Sequence, residues 1–420
     1  MGSKSKLLTI FFGLFALYAV AIGLYLWLAS IDPIPDFFKG TAADPATFLT
    51  DTQLQQSVIY SALRNWIFFV RYPWEWAIYL VLLFTGTAGR WQDKLAQASW
   101  SGFVRFPVFV LLLSLVSYAA LLPLRLISYA LARHYGISTQ PVWSWIRDHA
   151  VTFAIDLVIL TIVSSVAFWF IRRGGRWWLR LWVVSVPFIL IMMYIQPVVI
   201  DPLYNEFSRL SNPQLEQRIL ALADKADIPA DRVYEVNVSE KTNALNAYVN
   251  GIGTSLRIVL WDTTLQKLDE NETLLIMAHE MGHYVMRHLE WSAFGAVASS
   301  FFLLWFGSKL YKAVLRRWGP AWGIRKAGDV ASLPVLLLII SLLNFAFTPA
   351  ANFVSRQAER SADDYAIRLI GNTEGAVTMY QKLAISSLSE MNPPLLVKLF
   401  RSTHPSLMER IAGVQNDKQS

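Results

Sequence analysis

Two histidines four residues apart, with a glutamate directly after the first, stand in the segment "IMAHEMGHYV" at residues 276–285. With 6 histidines and 30 acidic residues among 420, roughly 0.006 such matches are expected by chance. On a helix, positions i and i+4 share a face, so His279 and His283 can reach one ion. Glu280 can take a proton from a water activated by that ion. The pattern predicts a zinc site, against the alternative of a helix with surface histidines.

The residues around this motif favour a helix, because strong helix formers such as Leu274 surround it. Asn271 is the expected N-cap, with Glu272 in the first turn, where the helix dipole favours an anion. His288 lies five residues past His283, so we expect it on a different face, at the surface.

The third ligand of the zinc must come from elsewhere in the chain. A catalytic zinc usually takes three protein ligands and leaves one position open. The chain has no cysteine, so the ligand is a histidine or a carboxylate. Position 289 is Leu, which excludes a histidine six residues past His283, and the region about twenty residues on is apolar. The downstream candidates are the glutamates Glu290, Glu359, Glu374, Glu390 and Glu409.

Glu359, in "SRQAERSADDYA" at residues 355–366, is the favoured candidate, because the other four lie at helix ends or in first turns. Asp363 follows one turn later on the same face. It could accept a hydrogen bond from the free ring nitrogen of a zinc-bound histidine. Spacing alone leaves open the alternative of a surface helix with charges at i and i+4.

The rest of the chain must position these residues, and its composition indicates a membrane protein. It is 55% hydrophobic and 16% charged, with a mean hydropathy of +0.39, whereas soluble proteins carry about 25% charged residues. Arg71, Glu75 and Asp156 fall inside apolar stretches, and such residues usually face a bundle interior or a water-filled cavity. Arg71 and Glu75 could instead mark a membrane interface. Seven stretches are long enough to span a bilayer: Leu7–Ala29, Trp66–Ala88, Phe106–Leu124, Ala150–Ile171, Leu181–Ile200, Trp291–Ser308 and Ala331–Val354.

The remaining segments suggest a small region outside the membrane. We expect an amphipathic helix at 212–228 and strands at 232–239, 244–250 and 256–262, with the turn "GIGTS" joining the last two. The predicted division is five transmembrane helices in 1–200, the helix, small sheet and histidine helix in 201–290, transmembrane helices six and seven in 291–354, and a helical C-terminal region with the third ligand in 355–420.

Positive charge in the loops bears on orientation. The net charge is +7, and Lys and Arg cluster in short segments such as "IRRGGRWWLR" and "KAVLRRWGPAWGIRK". Beside membrane spans this pattern sets orientation and contacts anionic lipid, so nucleic acid is not an expected partner. The segments that flank successive spans lie alternately on the two sides of the membrane. Counted in this way, the side of Lys4 carries 15 basic residues and the side of Lys39 carries 5. The positive-inside rule puts the first side in the cytoplasm and the zinc region opposite.

Five segments together resemble the integral-membrane zinc metalloproteases of the CAAX prenyl protease 1 type: "HEMGH" (279–283), "SRQAERSAD" (355–363), "NAYVNGIGTSLRIVLWDT" (246–263), "IDPLYNEF" (200–207) and "STHPSLMERI" (402–411). The resemblance covers most of the chain from about residue 195 onward, while the preceding part matches mainly in span layout. It implies one Zn²⁺ per chain, with His279, His283 and Glu359 as ligands and Glu280 as catalytic base.

The implied fold is a mainly α, polytopic membrane protein. Seven transmembrane helices enclose a water-filled chamber, with a small α+β, zincin-like region at one membrane face. The implied function is a zinc metalloendopeptidase that cuts near the C-terminus of prenylated CAAX-type or other membrane-associated peptides. We expect a monomer. Eukaryotic relatives present the zinc region to the cytosol, which opposes the charge count.

Three alternatives remain open for the role of the chain. The lack of cysteine, the compact loops and the end "NDKQS", which carries no retrieval signal, suit a bacterial inner-membrane homologue. Quality control of membrane proteins without a prenyl requirement is then the alternative role. A multispan transporter would explain the intramembrane charges but not the histidine motif. A catalytically dead scaffold would have lost Glu280 or a ligand.

Two further groups are candidates for substrate contact. Asn246, Ala247 and Tyr248 lie on the strand before the histidine helix and would offer an edge with which a substrate backbone pairs. The alternative is ordinary pairing within the sheet. His404, in "STHPS", could donate a hydrogen bond to the oxyanion, or it could be a helix-start residue with no role.

Overall fold

The computed structural model describes residues 3–250 and 256–417. The predicted turn "GIGTS" at 251–255 lies outside the described residues. The described residues form mainly helices: α1 (Ser3–Ala29), α2 (Asp51–Phe84), α3 (Thr87–Gln97), α4 (Gly102–His134), α5 (Val142–Arg173), α6 (Trp177–Ile195), α7 (Pro213–Lys225), α8 (Asp262–Lys267), α9 (Glu270–Val285), α10 (His288–Trp318), α11 (Leu333–Ile370), α12 (Ala376–Ser387), α13 (Leu395–Phe400) and α14 (Leu407–Asp417).

Among the described residues seven helices are long and apolar enough to cross a membrane, which confirms the predicted number: α1, α2, α4, α5, α6, α10 and α11. Several run well past the predicted span ends. With 38 residues and a rise of 1.5 Å per residue, α11 is roughly 57 Å long, against about 30 Å of hydrocarbon. The predicted seventh span stops at Val354, but the helix continues without a break. Glu359 and Asp363 therefore lie on the same helix as the seventh span.

The membrane helices surround an open interior. In its most apolar window α6 has 0% of its residues buried, and α10 has 11%. A helix in a solid bundle buries its inner stripe, so the low buried fractions of α6 and α10 indicate helices with lipid on one side and open space on the other. Arg71 and Asp156 are both exposed on membrane helices, which suits a water-filled interior. The predicted seven-helix chamber is thus confirmed.

Within residues 3–250 and 256–417, four short strands form a sheet beside α9: β1 (Phe207–Arg209), β2 (Val233–Val236), β3 (Ala247–Asn250) and β4 (Arg257–Trp261). The strand order is β1-β2-β4-β3, with β2 and β4 parallel and the other two pairs antiparallel. The three predicted strands are present. The sequence analysis missed β1, because three residues are too few to show an alternating pattern. β3 forms one edge of this sheet.

The two largest of the four hydrophobic clusters among the described residues lie in different parts of the molecule. One lies in the α+β region and includes the fully buried residues Ile219, Ile258, Leu260, Met277 and Met281. The other lies among the membrane helices and includes the fully buried residues Leu83, Phe109, Phe168, Tyr311 and Leu333.

Polar contacts attach the α+β region to the membrane helices. The ammonium of Lys241, in the loop after β2, lies 2.7 Å from the carboxylate of Asp148 on α5. On the other side, Ser57 and Ser61 of α2 donate to the carbonyl oxygen of Leu388. These contacts hold the site region directly over the bundle.

Candidate active site

The histidine helix α9 begins with a capping box formed by Asp269 and Glu272. The backbone N–H of Glu272 donates to Asp269 Oδ1 at 2.9 Å, and the N–H of Asp269 donates to Glu272 Oε2 at 2.9 Å. The prediction that Asn271 is the N-cap is therefore wrong, because Asn271 lies inside the first turn of the helix. The buried Glu272 also accepts from Lys382 of α12 at 2.6 Å, which fixes this end of the helix.

Gly282, inside the motif, is where α9 and α11 approach most closely. A Cβ atom at this position would meet Ala362 Cα at 3.2 Å and Tyr365 Cδ1 at 3.2 Å. The missing side chain thus brings α11 against the histidine face of α9. Motif spacing did not single out Gly282, although the match "HEMGH" contained it.

His279, His283 and Glu359 converge between α9 and α11. One ligand atom from each lies within 4.8 Å of the others. His279 Nε2 is 3.2 Å from both His283 Nε2 and Glu359 Oε2, and His283 Nε2 is 3.4 Å from Glu359 Oε1. Ligands about 2.0–2.1 Å from a tetrahedral zinc lie roughly 3.3 Å apart. The three residues therefore fit a zinc ion.

The charge of the three predicted ligands also favours a bound cation. Glu359 Oε2 is buried, and among the described residues it has no well-formed hydrogen bond, with His279 Nε2 at 3.2 Å. Burial lowers the pKa of His279, but the hydrogen bond with Asp363 and the Glu359 carboxylate outweigh it and raise this pKa to about 9. Without a metal the site thus holds a proton, and metal binding releases such protons.

Asp363 orients His279 from the side away from Glu359. Its Oδ1 accepts from His279 Nδ1 at 2.8 Å and from the Tyr380 hydroxyl at 3.0 Å. Arg410 of α14 binds the same carboxylate with two nitrogens, Nε to Oδ2 at 2.9 Å and Nη2 to Oδ1 at 2.5 Å. Because His279 Nδ1 donates to Asp363, its Nε2 is directed at the ligand group.

Sequence analysis missed Arg410 and Tyr380. Both are buried polar residues on short helices, and no spacing relates either of them to the histidine motif. The resemblance quoted "STHPSLMERI", which contains Arg410, but assigned it no role.

His288 supports His283 in a similar way. Its Nδ1 lies 2.8 Å from His283 Nδ1, and its Nε2 lies 3.4 Å from Ser361 Oγ. The expectation that His288 lies apart at the surface is wrong. Helical spacing does not apply between the two histidines, because Arg287 adopts a left-handed conformation (φ 56°) and separates α9 from α10.

Glu280 and His404 line one cavity of about 540 Å³. Within the described residues the Glu280 carboxylate has no hydrogen-bond or ion-pair partner, and burial raises its pKa. His404 Nε2 lies 3.3 Å from Glu359 Oε1. The Thr403 hydroxyl is 2.8 Å from His404 Nδ1, and when this hydroxyl donates to Nδ1 the ring proton is on Nε2. Burial lowers the pKa of His404, so the ring is neutral near pH 7.

The loop that carries His404 is held by α11. Arg356 donates to the carbonyl oxygens of Lys398 and Ser402 at 2.7 and 2.8 Å. The helix that carries Glu359 therefore also positions His404.

The three predicted substrate-binding residues differ in where they lie. Asn246 and Ala247 line the same cavity as Glu280. The carbonyl oxygen of Asn246 accepts from the N–H of Trp261 at 3.1 Å, so part of this strand is paired within the sheet. The Tyr248 ring packs on the far side of the sheet with Val236. A substrate strand would thus contact the backbone of Tyr248 and not its ring.

The other candidate glutamates lie away from the ligand group. Glu290 and Glu374 are exposed, and Glu409 pairs with Lys398 at 3.3 Å. Glu390 lines the cavity but binds Asn65 Nδ2 at 3.1 Å.

Comparisons with known proteins agree with this geometry. Residues 209–418 match peptidase family M48, and residues 38–206 match the family described as CAAX prenyl protease N-terminal, five membrane helices. An uncharacterized metalloprotease of Bacillus subtilis, YhfN, is 45% identical over 97% of this chain and 96% of its own length. The human CAAX prenyl protease 1 homolog is 24% identical over 81% of each chain.

The fold also has a solved counterpart. The crystal structure of S. mikatae Ste24p superposes with a TM-score of 0.80 over 99% of both chains, at 22% identity. These matches do not favour a transporter. The chain belongs to peptidase family M48 and is a membrane-embedded metalloendopeptidase.

Proposed function

We propose that this peptidase uses one zinc ion held by His279, His283 and Glu359. The observation that carries the proposal is the convergence of three ligand atoms at 3.2–3.4 Å spacing beside the unpartnered Glu280 carboxylate. Two nitrogens and one carboxylate oxygen form a donor set that suits zinc and leaves a fourth position open. When bound, the zinc supplies Lewis-acid activation of the scissile carbonyl and of water.

The side chains of the cavity would share the proton transfers of peptide hydrolysis. Glu280 accepts a proton from the attacking water while the water oxygen bonds to the carbonyl carbon. It then returns that proton to the leaving nitrogen as the C–N bond breaks. The raised pKa of Glu280 suits both steps. The neutral Nε2–H of His404 donates to the oxygen that gains negative charge, and Asp363 keeps the His279 ring in its tautomer.

The substrate would bind as an extended strand along the edge of β3 that lies away from β4. Asn246 and Ala247 line the cavity beside Glu280, and within the described residues β3 pairs with β4 on one side only. A peptide backbone added there would run past the catalytic groups. We propose that the peptide reaches this cavity through the interior of the helix bundle, so folded soluble proteins should resist cleavage.

The substrate class follows from relatives and is part of the proposal. Several relatives are named CAAX prenyl protease 1 or its homologs, which supports peptides cut near a prenylated C-terminus. A role in membrane-protein quality control without a prenyl requirement is the second candidate, because the B. subtilis relative at 45% identity is named as a metalloprotease and not as a prenyl protease. We propose a monomer in contact with membrane lipid, in a bacterial cytoplasmic membrane.

The zinc assignment predicts different outcomes for two substitutions in the purified protein. Glu359→Ala should lose most of the metal and all cleavage, because it removes one of three ligands. Glu280→Gln should keep one zinc per chain yet abolish cleavage, because the amide cannot accept the proton. Metal content by elemental analysis and cleavage of a peptide library, prenylated and unprenylated, measure both.

Glu290→Gln, at an exposed glutamate on α10, is the matched control and should leave both quantities unchanged. A Glu280→Gln protein that still cleaves would remove Glu280 as the base. Equal cleavage of prenylated and unprenylated peptides would favour the quality-control role.

The membrane orientation is proposed from charge. The side opposite the α+β region carries the larger number of Lys and Arg residues, so the positive-inside rule puts the zinc site outside the cytoplasm. Some of these charges could line the chamber, and the eukaryotic resemblance points the other way. A reporter fused after Ser420 tests this, since seven spans put it on the side of the zinc. Activity of a cytoplasm-only reporter would reverse the orientation and leave the zinc assignment intact.

A further inference from the structure

The active-site cavity has a second polar group on its wall, formed by Arg64 and Asn65 of α2 together with Glu390 and Arg401 on either side of α13. We call these four residues the arginine end. Arg401 donates to Asn65 Oδ1, and Asn65 Nδ2 donates to Glu390 at 3.1 Å. The hydrolysis described above uses none of these groups.

At the arginine end the positive charge of the arginines exceeds the negative charge beside them. Within the described residues the buried Arg64 Nε has no hydrogen-bond partner, and the Arg64 guanidinium carbon lies 5.3 Å from the centre of the Tyr60 ring. The Arg401 guanidinium lies 5.7 Å from the centre of the Phe68 ring. In the part of the chain that the structure describes, neither guanidinium forms an ion pair within 4.0 Å.

The one carboxylate at this end compensates only partly. Burial raises the pKa of Glu390 to about 7, so near neutral pH this group is only partly ionised. Charges removed from water are usually paired, because leaving them unpaired is costly. Two guanidinium groups that face a cavity with so little counter-charge therefore form a site for an anion.

The distance to the catalytic groups limits what that anion is. Arg401 precedes His404 by three residues, so their Cα atoms are at most about 11 Å apart. His404 in turn lies 3.3 Å from Glu359. An extended peptide advances roughly 3.3 Å per residue. The catalytic groups and the arginine end line one cavity, so an anionic group held at the arginine end would lie only a few residues from the bond that is cut.

We propose that Arg64 and Arg401 bind a carboxylate of the peptide substrate, namely that of its free C-terminus. This proposal rests on the peptidase function above and names the group by which that site recognises its substrate. Guanidinium groups suit carboxylates because they form paired, charge-assisted hydrogen bonds. Binding the chain end would fix the cut at a short, set distance from it. An acidic side chain offers the same chemistry, and the test separates the two sources.

The test uses the purified full-length enzyme and three peptides of otherwise equal sequence. One ends in a carboxylate, one in a carboxamide, and one in a carboxamide that follows a glutamate as last residue. We expect the wild type to lose at least about tenfold in kcat/KM on the carboxamide peptide. Arg64→Gln and Arg401→Gln should cut the carboxylate and carboxamide peptides at nearly equal rates. Adding two residues before the free end should move the cut with the end.

Lys398→Gln is the matched control, since it removes a positive charge from α13 without lining the cavity and should keep the wild-type preference. Arg64→Gln is the cleaner variant, because Arg64 makes no hydrogen bond among the described residues, and zinc content checks that it folds. The wild type could also cut the glutamate carboxamide peptide as fast as the carboxylate peptide, with this gain lost in Arg64→Gln. The site would then bind a carboxylate side chain and not specifically the free C-terminus.

Two results would overturn the proposal: equal cleavage of carboxylate and carboxamide peptides by the wild type, or an unchanged preference in both arginine variants. Failure of the peptidase function itself would look different, because no peptide would then be cut by the wild type.

Discussion

The active-site cavity has an excess of carboxylates at its catalytic end and an excess of arginines at the other. At the catalytic end Glu280, Glu359 and Asp363 are accompanied by Arg410, whose guanidinium binds the Asp363 carboxylate with two nitrogens. At the arginine end Arg64 and Arg401 are accompanied by the partly ionised Glu390. Buried charge that the protein leaves uncompensated marks the place of a ligand of opposite charge. The first end fits a metal cation, and the second fits an anion.

The two ends also differ in how firmly they are held. Asp363 accepts hydrogen bonds from His279, Tyr380 and Arg410, and Gly282 lets α11 lie against α9. Arg64, by contrast, contacts the face of a ring and forms no ion pair within the described residues. Metal ligands must keep their geometry within a few tenths of an ångström, whereas a group that binds the end of a flexible peptide can move.

The largest effect in this comparison is expected for Asp363→Asn. The amide cannot bind Arg410 with two oxygens and still accept from His279 Nδ1, so the ring loses its fixed orientation. Loss of such a partner typically weakens metal binding by about 10–100-fold. Competition with a zinc chelator measures the affinity. Glu374→Gln, at an exposed carboxylate, should bind zinc as the wild type does. Unchanged affinity in Asp363→Asn would mean that the catalytic end does not depend on this network.

A smaller effect is expected for His288→Ala, on the other flank of the zinc site. His288 is half-buried, so a water can take its place beside His283. We expect zinc affinity to fall by at most roughly tenfold, at the low end of the range for such partners. His134→Ala, at an exposed histidine, serves as control in the same chelator assay. A loss as large as that of Asp363→Asn would show that the two flanks support the metal equally.

Sequence reasoning reached the parts of the site that lie on regular helices. His279 and His283 share a face at a spacing of four, and so do Glu359 and Asp363. The motif alone could not bring the second pair to the first, because that contact depends on how α11 packs against α9 at Gly282. The family resemblance supplied that step, and the geometry agrees with it.

What sequence reasoning missed lies where helical periodicity stops or where contacts come from distant segments. His288 follows a left-handed residue, Arg287, so its direction cannot be counted along α9. Asp269, and not Asn271, caps α9, because capping depends on where the chain turns into the helix, which composition leaves uncertain by a few residues. Arg64 and Arg401 are 337 residues apart by their numbers, and their shared cavity follows from tertiary packing alone.

The smallest expected effect concerns the pH dependence of stability at the arginine end. Burial raises the pKa of Glu390 to about 7, against the partial opposition of Asn65, Arg64 and Arg401, whereas an unfolded chain has a value near 4.3. The folded state thus holds this proton more tightly. The stability it contributes is fully present below about pH 4 and is lost as the pH rises through about 7.

Glu390→Gln should remove the loss of stability at rising pH, because the amide does not ionise and still offers Asn65 a hydrogen-bond acceptor. We expect the Tm of Glu390→Gln relative to wild type, measured in one detergent, to be more favourable at pH 8 than at pH 5. Glu374→Gln, at an exposed position, should show no such trend. If the relative Tm of Glu390→Gln instead falls with rising pH, ionised Glu390 is a needed counter-charge for the arginines. The arginine end would then already be neutral before substrate binds, and the contrast with the catalytic end would disappear.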